Sequence, residues 1–217
     1  MPAPPFEFHG AAILFDMDGT LVDSMAHDER QWTRWANHHG LDPQPIITLS
    51  HGRRTIDTIR EVAPHLATDA ELARFETQEL TDREGIRAVD GAATILNLLP
   101  TGSWALVTSA PRCLALMRME CAGLPLPQVV VSSDDVRRGK PDPEGVLLAA
   151  ARLGVEPALC LVIEDTPAGI QAARAAGMSA LGVTTTYSCE QLGGACIPDF
   201  TSARVAVDGR VHFLILG

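Results

Sequence analysis

Hydrophobic positions along the chain fall into short unbroken runs separated by stretches of helical period. The runs are Ala11 to Phe15 (AAILF), Trp104–Thr108 (WALVT), Val129–Ser132 (VVVS), Leu159–Glu164 (LCLVIE) and a weaker Ala180–Thr184 (ALGVT). Unbroken rather than alternating apolar runs of this length read as strands covered on both faces, as in a parallel sheet. Between them, Pro143 to Leu153 repeats apolar residues at Val146, Leu147, Ala150 and Leu153. Asp142 is placed to cap that helix, Pro143 to open it and Gly154 to end it. Pro167 to Ala176 repeats the device, with Thr166 as cap and Gly177 after the end. Strands alternating with helices predict an α/β, Rossmann-like parallel sheet, whose ligands gather at the carboxyl ends of the strands. Near the C-terminus, VAVDGRVHFLIL reads as a hairpin turning at Asp208-Gly209.

Residues 24 to 87 break this rhythm. AHDERQWTRWANHHG, TIDTIREVA and TDAELARFETQELTDR are more polar, carry no strand-like run and read as helices, the last capped by Thr68 or Asp69. The spacing predicts a helical insertion over 24–87 within a core made of 1–23 and 88–217. Trp32 and Trp35, three apart on the first of these helices, are expected to pack inside the insertion. His38 and His39, just before Gly40, sit at a helix end.

Composition narrows the picture. With 217 residues, 46% hydrophobic and 20% charged, the chain has the make-up of a folded protein with room for a core and an insertion. A formal net charge of −10 argues against nucleic acid or an anionic membrane surface as a partner. It leaves open an anionic small molecule, since local cationic charge can invert the field inside a cleft. The five cysteines show no C-x-x-C spacing and are expected to be free thiols in a reducing compartment. MPAPPFEFHG lacks the basic start and apolar run of a signal peptide, and no segment approaches a membrane span. These features predict a soluble, cytoplasmic protein, with a monomer as the default state.

The candidate chemistry lies where the strands end. Asp16 and Asp18 are set one methionine apart after the first run, followed by Gly19. Two carboxylates at the end of a buried strand repel each other and resist desolvation, so something must compensate them, and a metal ion is the most economical candidate; a surface turn at Asp18-Gly19 is the plainer reading. Thr108-Ser109, Lys140 in GKPDPEG, and Glu164-Asp165 in VIEDTPAG occupy equivalent positions after later strands. Singly, each reads as a cap, a proline-stiffened loop or a dipole-complementing pair. Together they supply carboxylates for a hard divalent cation, a hydroxyl for a phosphoryl oxygen and a lysine to neutralise it, which is the inventory of phosphoryl transfer.

This set resembles the haloacid dehalogenase superfamily, in its branch with a helical cap. The resemblance covers nearly the whole chain, and FDMDGTLVDS, Thr108, Lys140 and Asp165 occur in that family's order. It implies that Asp16 is the nucleophile and a magnesium ligand. It further implies that Asp18 is the general acid/base, its main-chain carbonyl also on the metal. Thr108 would bind the transferring phosphoryl group with Ser109 beside it, Lys140 would shield developing charge, and Asp165, with Glu164 as a second contributor, would ligate Mg²⁺. The insertion would be the cap. LSHGRRT and GLPLPQVVVSSDDVRRGKPDPEG are most similar to bacterial sugar phosphatases, which places His51, Arg53 and Arg54 toward the substrate; a solvated turn is the alternative.

The resemblance implies a phosphatase acting on small hexose, pentose or polyol phosphates. A β-phosphoglucomutase-type transfer and a phosphoglycolate phosphatase are its alternatives. Such mutases carry a histidine on the first cap helix; counting from Asp18 places Asp28 there, with His27 one residue short. A phospho-accepting receiver domain would need a far shorter chain, no cap and an acceptor on a middle strand. A dehalogenase would have no use for the second aspartate.

Overall fold

The computed structural model describes residues 6–207 and 211–215. Its centre is β2 (Ala12–Phe15), whose four side chains are all fully buried. Parallel neighbours lie on each side, β5 (Trp104–Val107) and β7 (Cys160–Glu164). β6 (Val129–Val131), β8 (Ser179–Val183) and β9 (Cys196–Ile197) complete a six-stranded parallel sheet of order β6-β5-β2-β7-β8-β9. The five predicted runs are all strands, each trimmed by a residue or shifted by one.

The two-residue alternation of β2 divides its side chains between two cores. Ile13 and Phe15 join Leu96 of α5 (Ala92–Leu98), Met119 of α6 (Arg112–Cys121), Phe200 and Phe213 on one face. Ala12 and Leu14 face Val146 and Ala150 of α7 (Glu144–Leu153) and Ala173 of α8 (Pro167–Ala175) on the other. Both faces being covered is why the runs are unbroken. The helix signals hold locally: the Asp142 carboxylate accepts from the Glu144 amide at 3.0 Å, and the Thr166 hydroxyl from the Gly169 amide at 3.2 Å. Pro143 itself stands just before α7 rather than inside it.

A second, antiparallel sheet joins β1 (Glu7–Gly10), β11 (Val211–Ile215) and β10 (Ala203–Val207) in the order β1-β11-β10. Val205 pairs with Phe213 and Val207 with Val211, so the two strands form the expected antiparallel hairpin, one residue off the register of a two-residue turn; the turn predicted at Asp208-Gly209 lies outside the described residues.

The chain leaves the core through β3 (Val22–Asp23) and returns through β4 (Arg87–Ala88), which pair antiparallel as a narrow two-strand neck. Between them lie α1 (Met25–His38), α2 (Pro43–Ser50), α3 (Thr55–Val62) and α4 (Asp69–Thr81). Trp32, Trp35, Ile46, Ile59 and Phe75 form a core of their own there, with the Trp32 and Phe75 ring centroids 4.5 Å apart. Thr68, rather than Asp69, caps α4 through the Glu71 amide. α2 has no clear apolar period in its sequence, although Asp42-Pro43 carries a start signal.

The expectation of five free thiols is corrected. Cys189 and Cys196 form a disulfide that ties α9 (Cys189–Leu192) to β9. The Ser188 cap and Gly193 at φ +68° turn the chain tightly enough to bring the two Cα atoms to 5.7 Å. Cys113 is exposed, Cys121 half-buried and Cys160 buried, all unpaired. No helix among the described residues is long and apolar enough to cross a membrane.

Candidate active site

The predicted core residues converge at the carboxyl ends of β2, β5 and β7. Immediately after β2 the Met17 carbonyl accepts from the amides of Thr20, Leu21 and Val22, winding the chain into one tight turn. Gly19, at φ +76°, makes this possible: a Cβ there would lie 2.1 Å from Asp165 Oδ2. The turn therefore closes directly onto the end of β7, and Asp16, Asp18 and Asp165 share one wall of the cleft.

Lys140 reaches across from the loop after β6 and donates to both Asp16 and Glu164. Glu164 is fixed on its other side too. Glu164 Oε2 accepts from the Thr166 amide at 2.6 Å and the Thr166 hydroxyl at 2.8 Å, so both Glu164 oxygens are engaged by the protein. A Cβ on Gly169 would meet Glu164 Oε1 at 1.9 Å, which explains a glycine inside the first turn of α8. Glu164 thus serves first as the anchor for Lys140.

Asp165 is different. Its Oδ1 is buried without a hydrogen-bond partner, an expensive arrangement unless something else occupies that lone pair. Asp16, Glu164 and Asp165 each offer a carboxylate oxygen within 4.8 Å of one another, all buried, with Lys140 the cation that pairs with Asp16 and Glu164. Burial pushes the Asp16 carboxyl up to about 7, with Lys140 pulling against it. Burial, then Glu164 and Asp16, raise Asp165 well above the carboxylate range. Burial also disfavours the Lys140 ammonium, but Asp16 and Glu164 outweigh it and keep the lysine charged. A surplus of buried negative charge with one orphan oxygen fits a hard divalent cation held by oxygen ligands.

Asp18 has a separate surrounding. Its Oδ1 accepts from the Ser24 hydroxyl at 2.7 Å and pairs with Arg118 Nη1 at 2.6 Å. Burial raises its pKa while Arg118 opposes the rise. The Thr108 hydroxyl accepts from the Ala110 amide at 3.1 Å and lines the cleft. Ser109 instead donates to the Gly52 carbonyl of the helical insertion at 2.8 Å. Gly52, at φ +70°, approaches so closely that a Cβ would stand 2.7 Å from Thr166. The loop between α2 and α3 is thus seated over the carboxyl ends of the strands.

That loop brings His51 and Arg53 to the cleft. Arg53 also pairs with Glu61 at 2.6 Å. Arg54 points elsewhere: it pairs with Asp57 at 2.6 Å and donates to the Arg137 carbonyl at 3.0 Å, strutting insertion to core. Trp32 packs in the insertion's core, as expected, and one edge of it also reaches the cleft. The cleft holds about 70 Å³ of enclosed space and opens to solvent at one side.

Sequence reasoning singled out Asp28 only by its position on the first helix of the insertion, and missed Glu79 and Arg118, which line the cleft with it. Arg118, 2% exposed, joins Asp18 to Asp28 and Glu79. One signal was available: Arg118 falls four residues after Leu114 on the apolar face of its helix, where an unpaired arginine would not be buried.

Four likenesses bear on this geometry. The family model for haloacid dehalogenase-like hydrolases matches residues 11–177. Hexitol phosphatase A of Escherichia coli (strain K12) is 43% identical over 184 residues, covering 82% of this chain and 85% of that protein. Validoxylamine A 7'-phosphate phosphatase of Streptomyces hygroscopicus subsp. limoneus is 37% identical over 206 residues, covering 88% and 94%. Among solved structures, a hydrolase from Pseudomonas syringae superposes with a TM-score of 0.74 at 26% identity, over 86% of this chain and 91% of that one.

Proposed function

The chain belongs to the haloacid dehalogenase-like hydrolases, and on that premise we propose that it is a Mg²⁺-dependent phosphatase of small polyol and sugar monophosphates. The observation that carries this reading is the buried Asp16–Glu164–Asp165 set, served by one lysine and left with an unpartnered oxygen, beside a second aspartate held apart by its own arginine.

In this reading Asp16 attacks phosphorus, forming a P–O bond to its carboxylate while the ester P–O bond breaks. Asp18 gives its proton to the departing alkoxide. The same carboxylate then takes a proton from water as that water attacks phosphorus and Asp16 is released. Burial raises the pKa of Asp18, the direction a group needs if it is to begin as an acid. Lys140, held charged between Asp16 and Glu164, faces the negative charge of the transferring group, and the Thr108 hydroxyl offers it a hydrogen bond. Asp16, Asp165 and the Asp18 main-chain carbonyl would hold the Mg²⁺, which supplies charge neutralisation for the carboxylates and phosphoryl oxygens together.

The insertion, 24–87, acts as the cap, with His51 and Arg53 toward the substrate. Its chemistry favours a monophosphate over a bisphosphate. Asp28 and Glu79 line the far wall, Arg118 is already committed to them, and Arg53 is paired with Glu61. A second phosphate would face carboxylates there, whereas polyol hydroxyls can donate to them. Asp28 also stands where a mutase of this branch would have histidine. The hexitol phosphatase likeness agrees with a polyol or sugar phosphate substrate.

The test is phosphate release from hexitol, hexose, pentose and glycerol phosphates and phosphoglycolate, with Mg²⁺ and with chelator. Mg²⁺-dependent release, fastest on hexitol or hexose phosphates, is expected. Interconversion of glucose 1- and 6-phosphates without release would establish the mutase instead.

A further inference from the structure

Arg118 touches neither the nucleophile nor the lysine, yet it is the most heavily committed buried cation behind the site. It stands on α6 of the core and is 2% exposed. Nη1 pairs with Asp18 Oδ1 at 2.6 Å, and Nη2 pairs with Asp28 and, at 3.3 Å, with Glu79. Asp28 lies on α1 and Glu79 on α4, both in the helical insertion. His27 completes the cluster: its ring bonds to Asp28 at 3.1 Å and to the Glu79 carbonyl at 3.3 Å.

On the reading of the site given above, we propose that Arg118 is the positioning residue for Asp18, fixing the direction of its carboxyl group through a fork whose other arm is held by the cap. The geometry divides the two Asp18 oxygens. Oδ1 is taken by Ser24 and Arg118, while Oδ2 has no hydrogen-bond partner among the described residues and faces the cleft that Asp18 lines. A carboxyl pinned through one oxygen presents the other in a fixed direction, which is what proton delivery to an ester oxygen demands. A planar guanidinium can bind Asp18 and the cap carboxylates at once; a lysine ammonium is a point charge on a flexible stem and cannot reproduce the fork. Arg118 also joins insertion to core, since Asp28 and Glu79 stand on α1 and α4 while Asp18 follows β2.

The experiment uses leaving-group dependence, which a merely structural role would not move. A 4-nitrophenyl phosphate ester departs without a proton, whereas an alkyl phosphate needs one. Arg118→Lys retains the buried positive charge. Phosphoenzyme formation is read as the pre-steady-state burst of nitrophenolate, and steady-state kcat and KM are read on hexitol 6-phosphate. In Arg118→Lys the burst rate is expected within about threefold of wild type and kcat on the alkyl ester to fall roughly 30-fold or more, with KM changed far less. Equal losses on both esters, or no loss on either, would overturn the proposal. Should Arg118→Lys fold poorly, Arg118→Gln combined with Glu79→Gln lowers the buried charge imbalance and is held to the same ratio. A wild-type enzyme that releases phosphate from neither ester would overturn the phosphatase reading along with it, which separates the two failures.

Discussion

Replacing Asp16 by asparagine is expected to abolish turnover while leaving the fold intact. The amide is nearly isosteric with the carboxylate, so the packing around a 5%-exposed side chain is kept. It cannot form the acyl phosphate, and loss of a covalent nucleophile removes catalysis by a factor of about 10⁴ or more. Stability is not expected to fall. Asp16 is pushed up to about 7 mainly by burial, so ionising it is unfavourable in the folded metal-free protein, and its contribution to stability declines as pH rises from the unfolded carboxylate range through that value. Asp16→Asn removes this decline and should melt at or above the wild-type temperature at pH 8 without metal, as scanning calorimetry would show. Phosphate release near the wild-type rate would refute the nucleophile assignment.

The second large effect is at Asp18. Asp18→Asn keeps the contacts of Oδ1 in shape but can neither give nor take a proton, so both half-reactions slow by about 10²–10⁴-fold on alkyl phosphates. On 4-nitrophenyl phosphate the first half-reaction survives because its leaving group needs no acid, while the second still lacks its base. One equivalent of nitrophenolate should therefore appear in a burst, followed by slow turnover with the phosphoenzyme accumulating. Mg²⁺ affinity, measured by calorimetry, should stay within about tenfold of wild type, since the Asp18 side chain is engaged by Ser24 and Arg118 rather than by the Asp165 group. Complete loss of Mg²⁺ binding would show that the roles of the two aspartates are divided differently.

These two residues were legible in the sequence for a physical reason. A buried strand ending in two carboxylates is locally inconsistent unless something compensates it, and such inconsistencies mark functional sites. Lys140, Thr108 and Asp165 were legible in the same way, each standing at the end of an apolar run or in the loop that follows one. What escaped was set by tertiary approach. Arg118 pairs with carboxylates 39 or more positions away, 39 to Glu79 and 90 to Asp28, and no local pattern announces which carboxylates it meets. The division of labour between Glu164 and Asp165 was likewise hidden. Only the fold shows that Glu164 is consumed by Lys140 and Thr166 while Asp165 keeps a free oxygen. The Cys189–Cys196 pairing depended on one tight turn at Gly193, and spacing alone does not separate such a pair from two free thiols.

The measurement that tests the account most directly is chemical trapping of the intermediate. Enzyme mixed with substrate and Mg²⁺ is quenched within milliseconds, reduced with borohydride, which converts an aspartyl phosphate to homoserine, and mapped by peptide mass spectrometry. Homoserine at position 16, absent when chelator replaces Mg²⁺ and absent in Asp16→Asn, is the expected result. Reduction at any other residue, or turnover with no reducible intermediate even in Asp18→Asn, would contradict covalent catalysis by Asp16.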